Sequence, residues 1–165
     1  MNTDTRQAPS GKGKLRVGDQ APDFTLPTQK TGESFHLHNI LGKSAIVLFF
    51  YPKDNTAGCT AEACSFRDSY EVFKQAGAEV IGVSSDSEES HRDFAAKNHL
   101  PFLLLSDKNG ELRKLYGVPS TLGILPGRVT YVIDKDGIVR QIFSDMINTA
   151  KHINEALKVV QEIAH

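Results

Sequence analysis

An unbroken apolar run at residues 45–51 constrains the fold of this chain more than any other segment. It reads AIVLFFY, without the alternation of polar and apolar side chains that a strand with one face in water would show. A run of this length matches a β-strand, and its continuity indicates burial on both faces. The chain must therefore place this strand inside a sheet that is covered on each side, as in α/β proteins.

The order of the other elements supports the same class. An early β-hairpin is predicted at residues 24–37, and the central strand opens a βαβαβ unit. We predict strands at 45–50, 78–83, 102–105, 129–133 and 138–143, and helices at 58–76, 86–98, 109–116 and from 148 almost to the end. The turn at 134–137, which reads DKDG, joins the last two strands as a second hairpin. Together these elements predict a mixed central sheet with helices on both faces and antiparallel edges.

Length and charge exclude several classes of protein. The 165 residues suit one domain, which we place at residues 15–165, after a polar tail at residues 1–14 that we expect to be disordered. The net charge of -1 gives no support to binding of nucleic acid or an anionic membrane. No apolar run approaches the roughly 18 residues that a membrane span requires. Two cysteines do not make a secreted disulfide framework, so we expect a cytoplasmic protein, or an organellar one such as a chloroplast protein if a transit peptide has been removed.

Cys59 and Cys64 are the only cysteines, and both lie at the start of the helix predicted at 58–76. The N-terminus of a helix carries a partial positive charge and free N–H groups, which favour the reactive thiolate over the thiol. On a helical wheel, Cys59 is in line with the apolar stripe of this helix, formed by Ala63, Phe66, Tyr70 and Phe73. We therefore expect its sulfur to be partly buried at the end of a pocket.

Cys64 falls about 140° around the same helix from Cys59. In an intact helix their Cα atoms would be about 8.6 Å apart. A disulfide normally requires less than about 7 Å. A bond between the two sulfurs can therefore form only if the first turns of the helix unwind.

Other readings of these residues remain open at this point. Either cysteine could serve as a small buried hydrophobic residue. A zinc site is disfavoured because the cysteines are five residues apart and no histidine lies within the motif. His36 and His38 could form a metal pair, although an exposed strand face is the commoner reason for such spacing. The other histidines follow no pattern that predicts a site.

Three separated motifs resemble those of the peroxiredoxins. The P-x-x-x-T-x-x-C motif is matched by Pro52, Thr56 and Cys59, and the second cysteine five residues later is similar to the bacterioferritin comigratory protein or peroxiredoxin Q subfamily. The segments GDQAPDF at 18–24 and PGRVTYVID at 126–134 extend the resemblance over most of the chain. It implies a thioredoxin-like fold with an N-terminal β-hairpin extension, and thiol-dependent reduction of hydrogen peroxide and organic hydroperoxides.

The resemblance also implies roles for particular residues. Cys59 would be the peroxidatic residue, whose thiolate attacks the peroxide and becomes a sulfenic acid. Thr56 would hydrogen-bond the peroxide, and Pro52 would shield the thiolate from water. Arg128 would stabilise the thiolate and orient the peroxide, with Glu62 positioning Arg128.

Cys64 would then be the resolving residue, which condenses with the sulfenic acid. Thioredoxin or a similar thiol reductant would restore both thiols, and neither a cofactor nor a metal is implied. Because no third cysteine is available to resolve across a dimer, we expect a monomer. Two rival functions use the same pair of thiols: a redox sensor in which the pair switches the order of the helix, and a disulfide oxidoreductase, which the spacing and Thr56 disfavour.

Overall fold

The computed structural model describes residues 15–121 and 125–164. The strands are β1 Thr25–Pro27, β2 Ser34–His36, β3 Ala45–Phe50, β4 Ala78–Ser84, β5 Leu103–Ser106, β6 Ser120–Thr121, β7 Leu125–Pro126, β8 Val129–Ile133 and β9 Val139–Ser144. The helices are α1 Ala57–Asp68, α2 Tyr70–Gln75, α3 Glu88–Asn98, α4 Glu111–Tyr116 and α5 Thr149–Ile163, with a 3₁₀ turn at Leu37–Asn39. Among these helices, none has the length and apolar character needed to cross a membrane. The tail predicted at residues 1–14 lies outside the described residues.

Five strands form the central sheet in the order β5-β4-β3-β8-β9. The β3, β4 and β5 strands are parallel, as expected of a βαβαβ unit, whereas β8 is antiparallel to both β3 and β9. All six residues of β3 are buried, which confirms its predicted place at the centre. The predicted N-terminal hairpin is also present, as β1 paired with β2. The short pair of β6 and β7 was not predicted.

The two faces of the sheet carry different layers. Alternate side chains of β3 point to opposite faces, because successive residues of a strand alternate. Val47 and Phe49 belong to a core shared with α1, α2, α3 and α5. Ile46, Leu48 and Phe50 belong to a second core shared with the N-terminal hairpin and α4. Helices therefore cover both faces as predicted, but four of the five helices in the described part of the chain lie on one face.

The prediction of a single helix at residues 58–76 is wrong in one respect. The chain forms two helices there, α1 and α2, separated by a break at Ser69. There φ is −103° and ψ is 6°, outside the helical range. The apolar periodicity does not reveal the break, since Phe66 and Phe73 on either side of it are both fully buried with ring centroids 5.8 Å apart. Gly77 follows the second helix with φ of +88°, a left-handed conformation that suits glycine at a helix end.

The register of β3 against β8 joins two distant parts of the chain. Phe50, the last residue of β3, pairs with Val129, the first residue of β8. The carboxyl end of β3 therefore lies beside the amino end of β8, and α1 begins shortly after β3 ends. This register places Arg128 beside the start of α1, although it is 69 residues from Cys59 in sequence.

Candidate active site

Cys59 lies in the first turn of α1 and is more buried than the sequence indicated. Its side chain is only 1 % exposed, so the expected partial burial is wrong. Two features account for the difference: α1 packs its apolar stripe on the sheet with Ala63 and Phe66 fully buried, and the guanidinium of Arg128 lies against the sulfur.

Arg128 makes three contacts that fix the direction of its guanidinium. Its Nη2 donates to the Cys59 Sγ at 3.5 Å, its Nη1 donates to the Glu62 Oε1 at 2.6 Å, and its Nε donates to the Met146 carbonyl at 3.1 Å. Burial lowers the pKa of Arg128, but the Glu62 carboxylate and Cys59 outweigh it and leave that pKa raised. A permanent positive charge is thus held against the sulfur.

Gly127 explains how this arginine enters the core. A Cβ added at Gly127 would lie 2.7 Å from the Pro119 carbonyl oxygen, so only glycine allows this close approach. The amide of Gly127 also donates to that carbonyl at 2.8 Å. The backbone is thereby pinned immediately before Arg128, which is 4 % exposed.

Glu62 is fully buried one turn after Cys59. Burial raises the pKa of this carboxyl to about 7, while the charge of Arg128 acts in the opposite direction. Its Oε1 accepts from Arg128, but its Oε2 has no hydrogen-bond partner among the described residues. The structure therefore brings Glu62 to Arg128, as the sequence analysis expected, and leaves half of its carboxyl group unsatisfied.

Thr56 and Pro52 lie in the loop between β3 and α1. Thr56 occupies the N-cap position of α1, but its side chain does not cap the helix. Its hydroxyl donates instead to the Lys53 carbonyl at 2.9 Å, which leaves the oxygen lone pairs free to accept a hydrogen bond. Pro52 is half-buried and follows directly on Tyr51.

A buried network that the sequence analysis missed anchors this loop. The Asp54 carboxylate accepts from the Tyr51 hydroxyl at 2.6 Å, and its other oxygen accepts from Ser90 and His91 at 2.8 and 2.7 Å. The second ring nitrogen of His91 lies 3.0 Å from the Leu105 carbonyl. Both ring nitrogens of His91 therefore face oxygen atoms, and the imidazole ties the loop that carries Asp54 to β5.

The same region contains a cluster of possible metal ligands. Asp54, Asp86 and His91 offer atoms within 4.8 Å of one another. Asp86 Oδ2, however, accepts from the Asp54 amide and from the Ser84 hydroxyl, at 2.8 and 2.6 Å. The ligand atoms are thus already engaged by the protein, and the cluster acts as a hydrogen-bond network.

The two histidines left open as a metal pair share a carboxylate. His36 Nε2 lies 3.0 Å and His38 Nε2 lies 3.7 Å from the Asp23 Oδ2. Burial raises the pKa of Asp23, but the two histidines outweigh this effect and leave that pKa lowered. The spacing of the two histidines is therefore explained by their shared contact with the Asp23 carboxylate.

Cys64 lies on the other side of α1 from the sulfur of Cys59. It is half-buried, and its Sγ is 3.8 Å from the Asn98 Oδ1 at the end of α3. Both thiols are free, and α1 is continuous between them. With the helix intact, the expected separation of the two Cα atoms is about 8.6 Å, too long for a disulfide.

Two buried histidines were assigned no role from sequence. His91 and His152 are both fully buried, and each lies on the apolar face of its helix beside Phe94 or Ile153. The signal available in the sequence was a histidine at a position where the helical periodicity predicts an apolar, buried residue. It does not reveal which polar partners the residue will meet.

Comparison with known proteins finds relatives that match most of the chain. Residues 17–142 match the AhpC/TSA family. The chloroplastic peroxiredoxin Q of Triticum aestivum is 52 % identical over 152 residues, covering 92 % of this chain and 69 % of the relative. That of Sedum lineare is 52 % identical over 151 residues, covering 91 % of this chain and 80 % of the relative.

Solved structures give the same result. Peroxidoxin BcpB from Mycobacterium tuberculosis superimposes with a TM-score of 0.83 at 37 % identity, covering 90 % of this chain and 98 % of that one. The bacterioferritin comigratory protein of Xanthomonas campestris gives 0.79 at 29 % identity, covering 86 % and 92 %. The predicted thioredoxin-like fold is thereby confirmed. The chain therefore belongs to the AhpC/TSA peroxiredoxins, and within them to the peroxiredoxin Q or bacterioferritin comigratory protein subfamily of thiol-dependent peroxidases.

Proposed function

We propose that this peroxiredoxin reduces hydrogen peroxide and organic hydroperoxides through a sulfenic acid on Cys59, which Cys64 resolves as an intramolecular disulfide that thioredoxin then reduces. The observation that carries the proposal is the contact of the Arg128 Nη2 with the Cys59 Sγ at 3.5 Å, at the N-terminus of α1. A fixed positive charge and a helix N-terminus both favour the thiolate, which is the nucleophile.

In the first step, the Cys59 thiolate attacks one oxygen of the peroxide. The sulfur–oxygen bond forms as the oxygen–oxygen bond breaks, so the sulfur loses two electrons and the peroxide gains them. The departing oxygen takes up a proton and leaves as water or an alcohol. Arg128 is placed to stabilise the negative charge that develops on this oxygen, since preorganised donors are most effective in a buried site. Thr56, whose own hydrogen is given to Lys53, can accept a hydrogen bond from the peroxide O–H.

In the second step, the Cys64 thiol displaces water from the sulfenic acid and forms the disulfide. The separation of about 8.6 Å in an intact helix requires the first turns of α1 to unwind. One feature supports opening from this end: no side chain caps the first turn of α1, and a missing cap typically costs a helix about 1 kcal/mol. Further along α1, Arg67 donates to the Asn98 carbonyl at 2.8 Å and ties that part of the helix to the end of α3.

The remaining assignments follow from this cycle. A dithiol reductant such as thioredoxin would attack the disulfide and restore both thiols. Because both thiols belong to one helix, the cycle needs no second subunit, and we propose that the monomer is active. It would operate where such a reductant is kept reduced, in the cytoplasm or in an organelle such as the chloroplast.

Substitution of each cysteine by serine tests the proposal. The Cys59→Ser variant is expected to lose all thioredoxin-dependent consumption of peroxide. The Cys64→Ser variant should consume one equivalent, form a sulfenic acid that dimedone traps, and then stall and become prone to further oxidation. Peroxide consumption by Cys59→Ser at the wild-type rate would refute the assignment of Cys59.

The oxidised wild-type protein separates the peroxidase from the redox sensor. Mass spectrometry after one equivalent of peroxide should show a bond between Cys59 and Cys64 in a monomeric chain. Repeated turnover with thioredoxin and its reductase supports the enzyme, whereas a single slow oxidation without turnover would favour the sensor. A bond between two chains would refute the intramolecular route.

A further inference from the structure

His152 is a fully buried residue of α5 that the proposed cycle does not use. Its Nε2 lies 2.7 Å from the Asp145 carbonyl, and its Nδ1 lies 2.8 Å from the Thr130 Oγ1. The same Nδ1 lies 3.6 Å from the Glu62 Oε2. One imidazole thus faces α1, β8 and the turn that precedes α5.

Besides the sulfur, two groups accept hydrogen bonds from Arg128, and both lie close to the His152 ring. Glu62 accepts from Arg128 with one carboxylate oxygen and turns the other toward His152. Met146, whose carbonyl accepts from the Arg128 Nε, is the neighbour of Asp145, whose carbonyl faces the His152 Nε2. The direction of the guanidinium therefore depends on the Glu62 carboxylate and on the Met146 carbonyl. His152 contacts Glu62 itself and the Asp145 carbonyl next to Met146.

The hydrogen-bond pattern assigns the tautomer of the ring. A carbonyl oxygen only accepts, so the Nε2 of His152 carries a proton and donates to Asp145. Burial lowers the pKa of His152, the Asp145 carbonyl raises it, and the charge of Arg128 lowers it further. The neutral ring therefore presents an acceptor at Nδ1, and the Thr130 hydroxyl donates to it.

This acceptor faces the unsatisfied half of Glu62. The Glu62 Oε2 is buried and has no hydrogen-bond partner in the parts of the chain that the structure describes. The charged or titratable groups that contact the Glu62 carboxyl are Arg128, which immediately precedes β8, and His152 from α5. Arg128 in turn contacts Cys59, on the same helix as Glu62. At 3.6 Å the Nδ1 of His152 and the Glu62 Oε2 are beyond hydrogen-bond distance, so the ring supports the Glu62 carboxyl by packing against it.

We propose that His152 is a positioning residue of the peroxidase: by bonding the turn at residues 145–146 and packing against Glu62, it keeps Arg128 directed at the Cys59 sulfur. The inference rests on the proposed function, in which Arg128 acts on that sulfur. Its consequence is that removal of the imidazole should alter the reactivity of a thiol that the imidazole does not touch.

His152→Phe is the main test, because it retains a ring of similar size against the edge of Phe143 and removes both nitrogens. In a Cys64→Ser background only one thiol remains, so the rate of alkylation by iodoacetamide reports on Cys59 alone. We expect the midpoint of its pH profile to move to higher pH. The second-order rate constant with hydrogen peroxide should fall roughly 10- to 100-fold, since misplacement of a reacting group by about 1 Å can cost on the order of 100-fold.

Two further variants separate positioning from general loss of structure. Thr130→Val removes only the hydroxyl on Nδ1 and should move the pH profile in the same direction by a smaller amount, which keeps the test valid if His152→Phe does not fold. Ile153→Ala is the matched control, because Ile153 is the next residue of α5 and packs in the core. It should reduce stability and leave the pH profile and the peroxide rate unchanged.

An unchanged pH profile and peroxide rate in folded His152→Phe would overturn the inference, as would equal changes in Ile153→Ala. The alkylation measurement needs no peroxide. It therefore distinguishes a failure of this inference from a failure of the proposed function, which would appear as a wild-type protein that does not consume peroxide.

Discussion

Replacement of Glu62 by glutamine measures what the buried carboxylate beside Arg128 costs the fold. Glu62 is fully buried, and one of its oxygens has no hydrogen-bond partner among the described residues. Burial raises its pKa from 4.5 to about 7 against the opposing attraction of Arg128. In the folded protein, the ionised form of this carboxyl is thus less favourable than it is in the unfolded chain.

The sign and size of the effect follow from this difference. A group whose pKa is raised on folding stabilises the protein fully below its unfolded value, here 4.5, and this contribution is lost as the pH rises through about 7. At about 1.4 kcal/mol for each pH unit, the loss is about 3 kcal/mol. Glutamine is neutral throughout, so the Glu62→Gln variant lacks this loss. As the pH rises from about 5 to about 8, the free energy of unfolding of Glu62→Gln should therefore increase by about 3 kcal/mol relative to that of the wild type.

Urea unfolding of the reduced proteins, followed by circular dichroism across this pH range, provides the assay. Glu71→Gln is the matched control, because Glu71 is an exposed carboxylate on α2 and its loss should leave the pH dependence nearly unchanged. A difference between wild type and Glu62→Gln that stays constant with pH, or that favours the wild type as the pH rises, would refute the reasoning. It would mean that the attraction of Arg128 outweighs the burial of Glu62.

Three further substitutions test other parts of the site. Arg128→Lys should lower the second-order rate constant with hydrogen peroxide, measured by stopped flow, by roughly 100-fold, because a single ammonium cannot make the three directed contacts of the guanidinium; a rate near that of the wild type would contradict this. Gly58→Ala places a Cβ 3.1 Å from the Arg128 Nη2 and should stabilise α1 by up to about 1 kcal/mol while slowing both peroxide reduction and formation of the disulfide; faster formation of the bond, followed by mass spectrometry, would argue against unwinding of the first turn. Asp54→Asn replaces one acceptor oxygen by an NH₂ group that faces the partners of Asp54, and should lower the free energy of unfolding in urea by about 1–3 kcal/mol, a result that an unchanged midpoint would exclude.

Most of the sheet could be predicted because its signals are local. The apolar run of β3 and the turn residues before Gly137 each depend on a few neighbouring positions, and both appear in the structure as predicted. The break at Ser69 could not be predicted in this way. The core pattern continues across it from Phe66 to Phe73, so the periodicity is the same for one helix or for two.

The same distinction, between features that depend on neighbouring positions and features that do not, applies to the residues of the site. The positions of Thr56 and Cys59 at the start of a helix, and the face that Cys64 occupies, follow from spacing within one segment. The contact of Arg128 with the Cys59 sulfur was available only through resemblance to a family, because spacing within a segment says nothing about a residue 69 positions away.

The sequence by itself determined the layered α/β class, the helix that carries both thiols, and the distance that keeps those thiols apart while the helix is wound. Only the tertiary structure decided which charges meet the reactive sulfur. The antiparallel register of Phe50 against Val129 brings Arg128 to it, and the packing of α5 brings His152 to Glu62. Periodicity records which face of an element is buried, whereas the partners that a buried polar group meets depend on strand register and helix packing between distant segments.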